Sequence, residues 1–83
     1  MAKILIVDDE EDLGYLLRSI LELEGYQVTC VLDGYKAIEE IKMNHYDLVM
    51  MDIRLPGING VETFIQIKKI NPETRVVMMT GFA

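Results

Sequence analysis

Three aspartates stand where apolar runs of strand length end. Asp8 and Asp9 follow Ile4-Leu5-Ile6-Val7, and Asp52 follows Leu48-Val49-Met50-Met51. In an open α/β sheet, ligands bind outside the carboxyl ends of the strands, at the switch in strand order. If the first and third strands are neighbours they lie roughly 4.8 Å apart, so acids at their tips converge on one small volume. Carboxylates that close cannot all stay ionised without compensation. A hard divalent cation is the natural partner, and Mg2+ accepts one or two carboxylates together with waters and substrate oxygens. One open coordination position can hold a phosphoryl oxygen, which stabilises charge as the phosphoryl group passes to a carboxylate. A carboxylate nucleophile then carries an aspartyl phosphate. Taken alone, an Asp-Asp pair after a strand is more often an ordinary helix start. Asp52 and the strand-ending Thr80, at their intervals, turn the reading toward a metal site.

The elements that must position these acids alternate between two periods. Ile4–Val7, Leu48–Met51 and Val76–Met79 are continuous apolar runs, and Gln27–Leu32 is a weaker fourth. Continuous rather than alternating runs suit strands buried on both faces of a parallel sheet. Between them the period becomes that of a helix. Leu13, Leu16, Leu17, Ile20 and Leu21 share one face, entered through Glu10, Glu11 and Asp12, whose charge suits the helix dipole, and stopped by Gly25. Gly14 inside that helix costs about 1 kcal/mol against alanine, so packing must supply the stability. Ala37, Ile38 and Ile41 mark a second helix, entered through the turn Asp33-Gly34. Val61, Phe64, Ile65 and Ile70 mark a third, closed by Asn71-Pro72. The order β-α-β-α-β-α-β means βαβ units, right-handed crossovers and a doubly wound parallel sheet with helices on both faces.

Composition narrows the function. The chain has 83 residues, enough for one small domain, residues 1–83, with 51% apolar residues to build a core. A net charge of -6 argues against direct nucleic-acid contact, which needs basic patches, and suits a cation site. The single cysteine, Cys30, can form neither an internal disulfide nor a zinc cluster, and it reads as a small hydrophobe. His45 reads as a solvated loop residue, and Lys68-Lys69 as a solvated helix face. No apolar run reaches the roughly 20 residues of a membrane span, and Asp8 follows too soon on the first run for a signal peptide. A cytoplasmic protein with no membrane contact is the expectation. Neither phosphate-binding glycine motif, G-x-x-x-x-G-K-[ST] or G-x-G-x-x-G, is present.

The segment Asp52-Ile53-Arg54-Leu55-Pro56-Gly57-Ile58-Asn59-Gly60, with the acid pair and Thr80, resembles the receiver domain of two-component response regulators. The resemblance spans the chain and implies a flavodoxin-like fold, with strand order 2-1-3-4 over the part present. It implies that Asp52 accepts a phosphoryl group from a histidine kinase or phosphotransferase, and that the chain is a phosphoacceptor rather than a turnover enzyme. It further implies that Asp9 ligates Mg2+ together with Asp52, that Asp8 holds the ion through water, and that Arg54 contributes its backbone carbonyl. The Thr80 hydroxyl is expected to bond a phosphoryl oxygen and to move as the switch. A complete receiver continues through a fourth helix, a fifth strand ending in Lys-Pro and a fifth helix. Those elements are absent here, so slower phosphoryl acceptance and no signal output are expected. One alternative is a truncated or engineered half-domain that self-associates through the fourth-strand edge or the bared sheet face. Another is a phosphohydrolase of haloacid-dehalogenase-like type, but the acid that family wants two residues after its nucleophile is Arg54 here.

Overall fold

The computed structural model describes residues 2–79. The elements run β1 (Lys3–Val7), α1 (Glu11–Leu23), β2 (Gln27–Val31), α2 (Gly34–Met43), β3 (Leu48–Asp52), α3 (Gly60–Ile70) and β4 (Arg75–Met79). Every strand pairing is parallel, and the sheet order is β2-β1-β3-β4. This is the expected flavodoxin-like arrangement, with small shifts at the boundaries. The second strand stops at Val31, the fourth starts at Arg75, and Asp52 is the last residue of β3 rather than the first beyond it.

The runs of β1 and β3 are continuous because both of their faces are covered. On one face Leu5, Val7, Val49, Met51, Val76 and Met78 meet Ala37 and Ile41 of α2 and Phe64 and Ile67 of α3. On the other, Ile4, Ile6, Val28, Cys30, Leu48 and Met50 meet Leu17 and Leu21 of α1. Full burial of one such aliphatic side chain contributes roughly 1.5–3 kcal/mol. Helix α1 lies chiefly over β2 and β1. Leu16 and Ile20, expected on its buried stripe, are 54% and 50% exposed, and Val77 of β4 is 48% exposed. Among the described residues, nothing covers the α1-side face of β4.

Local signals set the helix ends. Gly25 takes a left-handed φ of 93°. Its N–H donates to Glu22 O and that of Tyr26 to Leu21 O, the paired bonds of a Schellman stop. The Asp33 side chain caps α2 by accepting from the Lys36 N–H, and Asn59 caps α3 by accepting from Glu62 N–H. The third helix packs only one of the apolar residues expected on its inner face, Phe64, against the core. Val61, Ile65 and Ile70 are exposed, while Gly60, Thr63 and Ile67 are buried. The reason is a close backbone approach at Gly60, which turns Thr63 and Ile67 inward.

Candidate functional site

Strand register builds the site. Ile6 pairs with Met50 and Val7 with Met51, so one further step sets Asp8 beside Asp52. Both continue the alternation of Ile6 and Met50, whose side chains point to the α1 side of the sheet. The Asp8 N–H donates to Val31 O at 3.1 Å, and that of Ile53 to Met79 O at 3.1 Å, which extends the ladder to the rim. Asp8, Asp9 and Asp52 thereby offer carboxylate oxygens that all lie within 4.8 Å of one another.

Two of the three acids are fixed by their own turns. Glu10 N–H donates to Asp8 Oδ1 at 2.9 Å, and Arg54 N–H donates to Asp52 Oδ1 at 3.0 Å. A bond to the residue two positions on is the habit of aspartate at a turn. It holds one oxygen of each carboxylate and fixes the direction of the other. Asp8 is only 4% exposed. Burial pushes its carboxyl above the usual 3.8; the Glu10 N–H opposes the rise, and the neighbouring Asp52 and Asp9 add to it. Among the described residues, no side-chain cation reaches ion-pair distance of the three acids: the pairs present are Arg18–Glu22 and His45–Asp47. Converging oxygens without a protein counter-charge are the donor set that a hard divalent cation takes, so the residues fit Mg2+.

The loop after Asp52 is held by close contacts. A methyl group on Gly60 would lie 2.6 Å from Asp52 O and 2.9 Å from Ile53 Cα, so the first turn of α3 sits directly on the backbone of the site. The Gly60 N–H donates to Ile53 O at 2.9 Å. Leu55 is buried in the core, and Gly57 takes φ of 76° at the outer turn. The sequence marks Gly60 as a helix opener but gives no sign of this approach. Thr80 lies outside the described residues. His45 and Asp47 lie at the opposite end of the sheet, before β3, where His45 Nε2 is 3.1 Å from Asp47 Oδ1. Cys30 is half-buried, and its thiol donates to Gly14 O at 3.5 Å, in keeping with a packing role.

Sequence and structure comparisons show which proteins the chain resembles. The chain is 36% identical over 80 residues to sporulation initiation phosphotransferase F of Bacillus subtilis, covering 96% of this chain and 64% of that protein. A receiver domain from Methanospirillum hungatei superposes with a TM-score of 0.95 at 32% identity, over 100% of this chain and 66% of the other. The response regulator TrrA of Thermotoga maritima, solved with Mg2+-BeF and with the histidine kinase ThkA, superposes with a TM-score of 0.92 at 35% identity, over 100% of this chain and 72% of TrrA. The chain thus spans about two thirds of the length of these relatives. The family model described as response regulator receiver domain matches residues 4–83, which takes in both strand tips and the loop between Asp52 and Gly60. With the acids on neighbouring strand tips and the match running almost end to end, the chain belongs to the response regulator receiver family of two-component signalling.

Proposed function

We propose that Asp52 accepts a phosphoryl group, with Mg2+ held between the strand tips. The observation that carries this reading is the convergence of three carboxylates within 4.8 Å, with no protein cation beside them among the described residues. Asp9 and Asp52 are the direct ligands in this reading, Asp8 acts through water, and the Arg54 backbone carbonyl completes the protein's share. A bound Mg2+ supplies neutralisation of the acids and of the incoming phosphoryl oxygens. The chain's own residues do the rest. Asp52 Oδ1 is tied to the Arg54 N–H, which leaves the other carboxylate oxygen as the nucleophile. An O–P bond forms to that oxygen as the bond from phosphorus to the donor nitrogen of a phosphohistidine breaks, and the proton balance closes on the freed imidazole. The Thr80 hydroxyl is assigned to the phosphoryl oxygens as the switch. The donor is a histidine kinase or a phosphotransferase; TrrA, the relative solved with ThkA, supports the former. The phosphoryl group adds roughly 1.5–2 negative charges, and the output is a shift between two existing arrangements. A cytoplasmic setting without membrane or nucleic-acid contact is part of this proposal; among the described residues no helix is long and apolar enough to cross a membrane.

The test is incubation with Mg2+ and acetyl phosphate, read by intact mass. Wild type gains one phosphoryl group, the gain disappears with a chelator, and Asp52→Ala gains nothing. The same gain in Asp52→Ala sinks the assignment.

A second reading concerns residues 1–83 as an isolated polypeptide. Val77 is 48% exposed, and β4 has no partner on its outer edge among the described residues. We infer that this polypeptide self-associates through that edge or the adjoining apolar face. Light scattering that finds only a compact monomer at high concentration contradicts it.

A further inference from the structure

We infer that Tyr35 is a positioning residue for the acidic site, acting through the loop between β3 and α3. This rests on the reading of Asp52 and Arg54 given above. Tyr35 is the second residue of α2 and is 58% exposed, but one edge of its ring lies over the loop that follows β3. What it covers is Gly57. A methyl group built on Gly57 would meet the Tyr35 ring at 3.0 Å (Cε2) and 3.6 Å (Cδ2), so the ring lies flush against the bare Cα of the loop's outermost turn. That turn needs glycine for its φ of 76° as well.

The neighbouring residue acts on the same loop. A methyl group on Gly34 would lie 2.7 Å from Ile58 Cγ1, so the start of α2 presses on the loop at two successive residues, Gly57 and Ile58. The inner ends of the loop are anchored separately. Leu55 is buried in the core, and Gly60 is seated on the Asp52 and Ile53 backbone. The turn at Pro56 and Gly57 has no such anchor, and both residues are exposed. Tyr35 supplies the missing support there. The loop carries the Arg54 N–H that fixes Asp52 Oδ1 and the Arg54 carbonyl assigned to the ion. A loop free to move at Gly57 therefore loosens two groups of the site without touching the acids themselves. Packing of the ring does this work, because the Tyr35 hydroxyl makes no hydrogen bond to another described residue.

The experiment compares wild type, Tyr35→Ala and Tyr35→Phe. Amide hydrogen exchange reads the loop without any ion, and Mg2+ titration followed by amide NMR reads the site. Tyr35→Ala is expected to speed exchange at the Arg54 and Gly60 amides about tenfold, as local opening without global unfolding does. It is expected to weaken Mg2+ binding about tenfold, the lower end of the range for supports beyond direct ligands. The melting temperature stays close to wild type, because the ring is mostly exposed, and Tyr35→Phe restores both readouts. Unchanged loop exchange in Tyr35→Ala overturns the inference. So does faster exchange with unchanged Mg2+ affinity in a protein that binds the ion. A wild type that binds no Mg2+ defeats the metal-site reading and with it the role given to Tyr35, whereas a wild type that binds normally beside an indifferent Tyr35→Ala defeats the role alone.

Discussion

Gly60→Ala places a methyl group against the backbone that carries the proposed phosphoacceptor. The added carbon would sit 2.6 Å from Asp52 O, 2.9 Å from Ile53 Cα and 3.0 Å from Ile53 O. Carbon contacts settle at about 3.5–4.0 Å, so the first turn of α3 must retreat by on the order of 0.5–1 Å. All three obstacles are backbone atoms, and no side-chain rotation can relieve them. Overpacking of this kind costs about 1–3 kcal/mol. The retreat also stretches the Gly60 N–H bond to Ile53 O, now 2.9 Å, and a hydrogen bond contributes about 1 kcal/mol. The preference of a helix for alanine offsets at most about 1 kcal/mol. The net loss is about 2–3 kcal/mol, which for a domain of this size lowers the melting temperature by roughly 10–20 °C. Gly14→Ala is the control. Its methyl group would find Cys30 Sγ at 3.8 Å, an ordinary contact, so helix preference acts unopposed and stability rises by about 0.5–1 kcal/mol. Urea unfolding followed by circular dichroism measures both. If Gly60→Ala is as stable as wild type, the close seating of α3 on the site is wrong.

Gly34→Ala is expected to cost about 1–3 kcal/mol through overlap with Thr63 Oγ1 and Ile58. Thr63→Ala should return part of that loss in a double-mutant cycle, and strict additivity would contradict the contact. Asp8→Asn keeps an acceptor for the Glu10 N–H while removing a carboxyl whose ionisation is opposed by burial and by Asp52 and Asp9. Thermal melts should show a more stable ion-free protein that Mg2+ stabilises less than it does wild type. Asp47 gives the acid limb of the stability curve. Its carboxylate accepts from the Lys3 N–H at 2.8 Å and faces His45, and these hold it below the usual 3.8. The stabilisation is present above that value and is lost as pH falls through the depressed one. Asp47→Asn should therefore lower the melting temperature slightly at neutral pH, where the carboxylate's contribution is present, and its curve should converge with wild type as pH falls below about 4.

The strands and the acid cluster were legible because both depend on local pattern. The continuous runs at Ile4, Leu48 and Val76 suit parallel strands, and acids that follow such runs lie at one rim of the sheet. The third helix was read only in part: Phe64 packs on the core, whereas Val61, Ile65 and Ile70 are exposed. Val61 and Ile65 are apolar at helical spacing, but the close approach at Gly60 turns Thr63 and Ile67 to the core instead. A glycine's neighbours across a tertiary contact leave no mark in the sequence, so the tight seats of Gly34 and Gly60 needed the structure. The same holds for Tyr35, whose meaning lies in a ring set against Gly57. Leu16 and Ile20 follow the helical period yet stay exposed, because α1 lies chiefly over β2 and β1 and turns those two residues away from the sheet.

The central claim is that Asp52, among acids brought together at the sheet rim, is the residue that becomes phosphorylated. Borohydride converts an acyl phosphate into an alcohol, so treatment after reaction with Mg2+ and acetyl phosphate leaves homoserine at the acceptor. Peptide mass spectrometry should find that conversion at position 52 alone and only when Mg2+ is present. Homoserine at position 8 or 9, or none in a sample that has consumed the donor, would contradict the account.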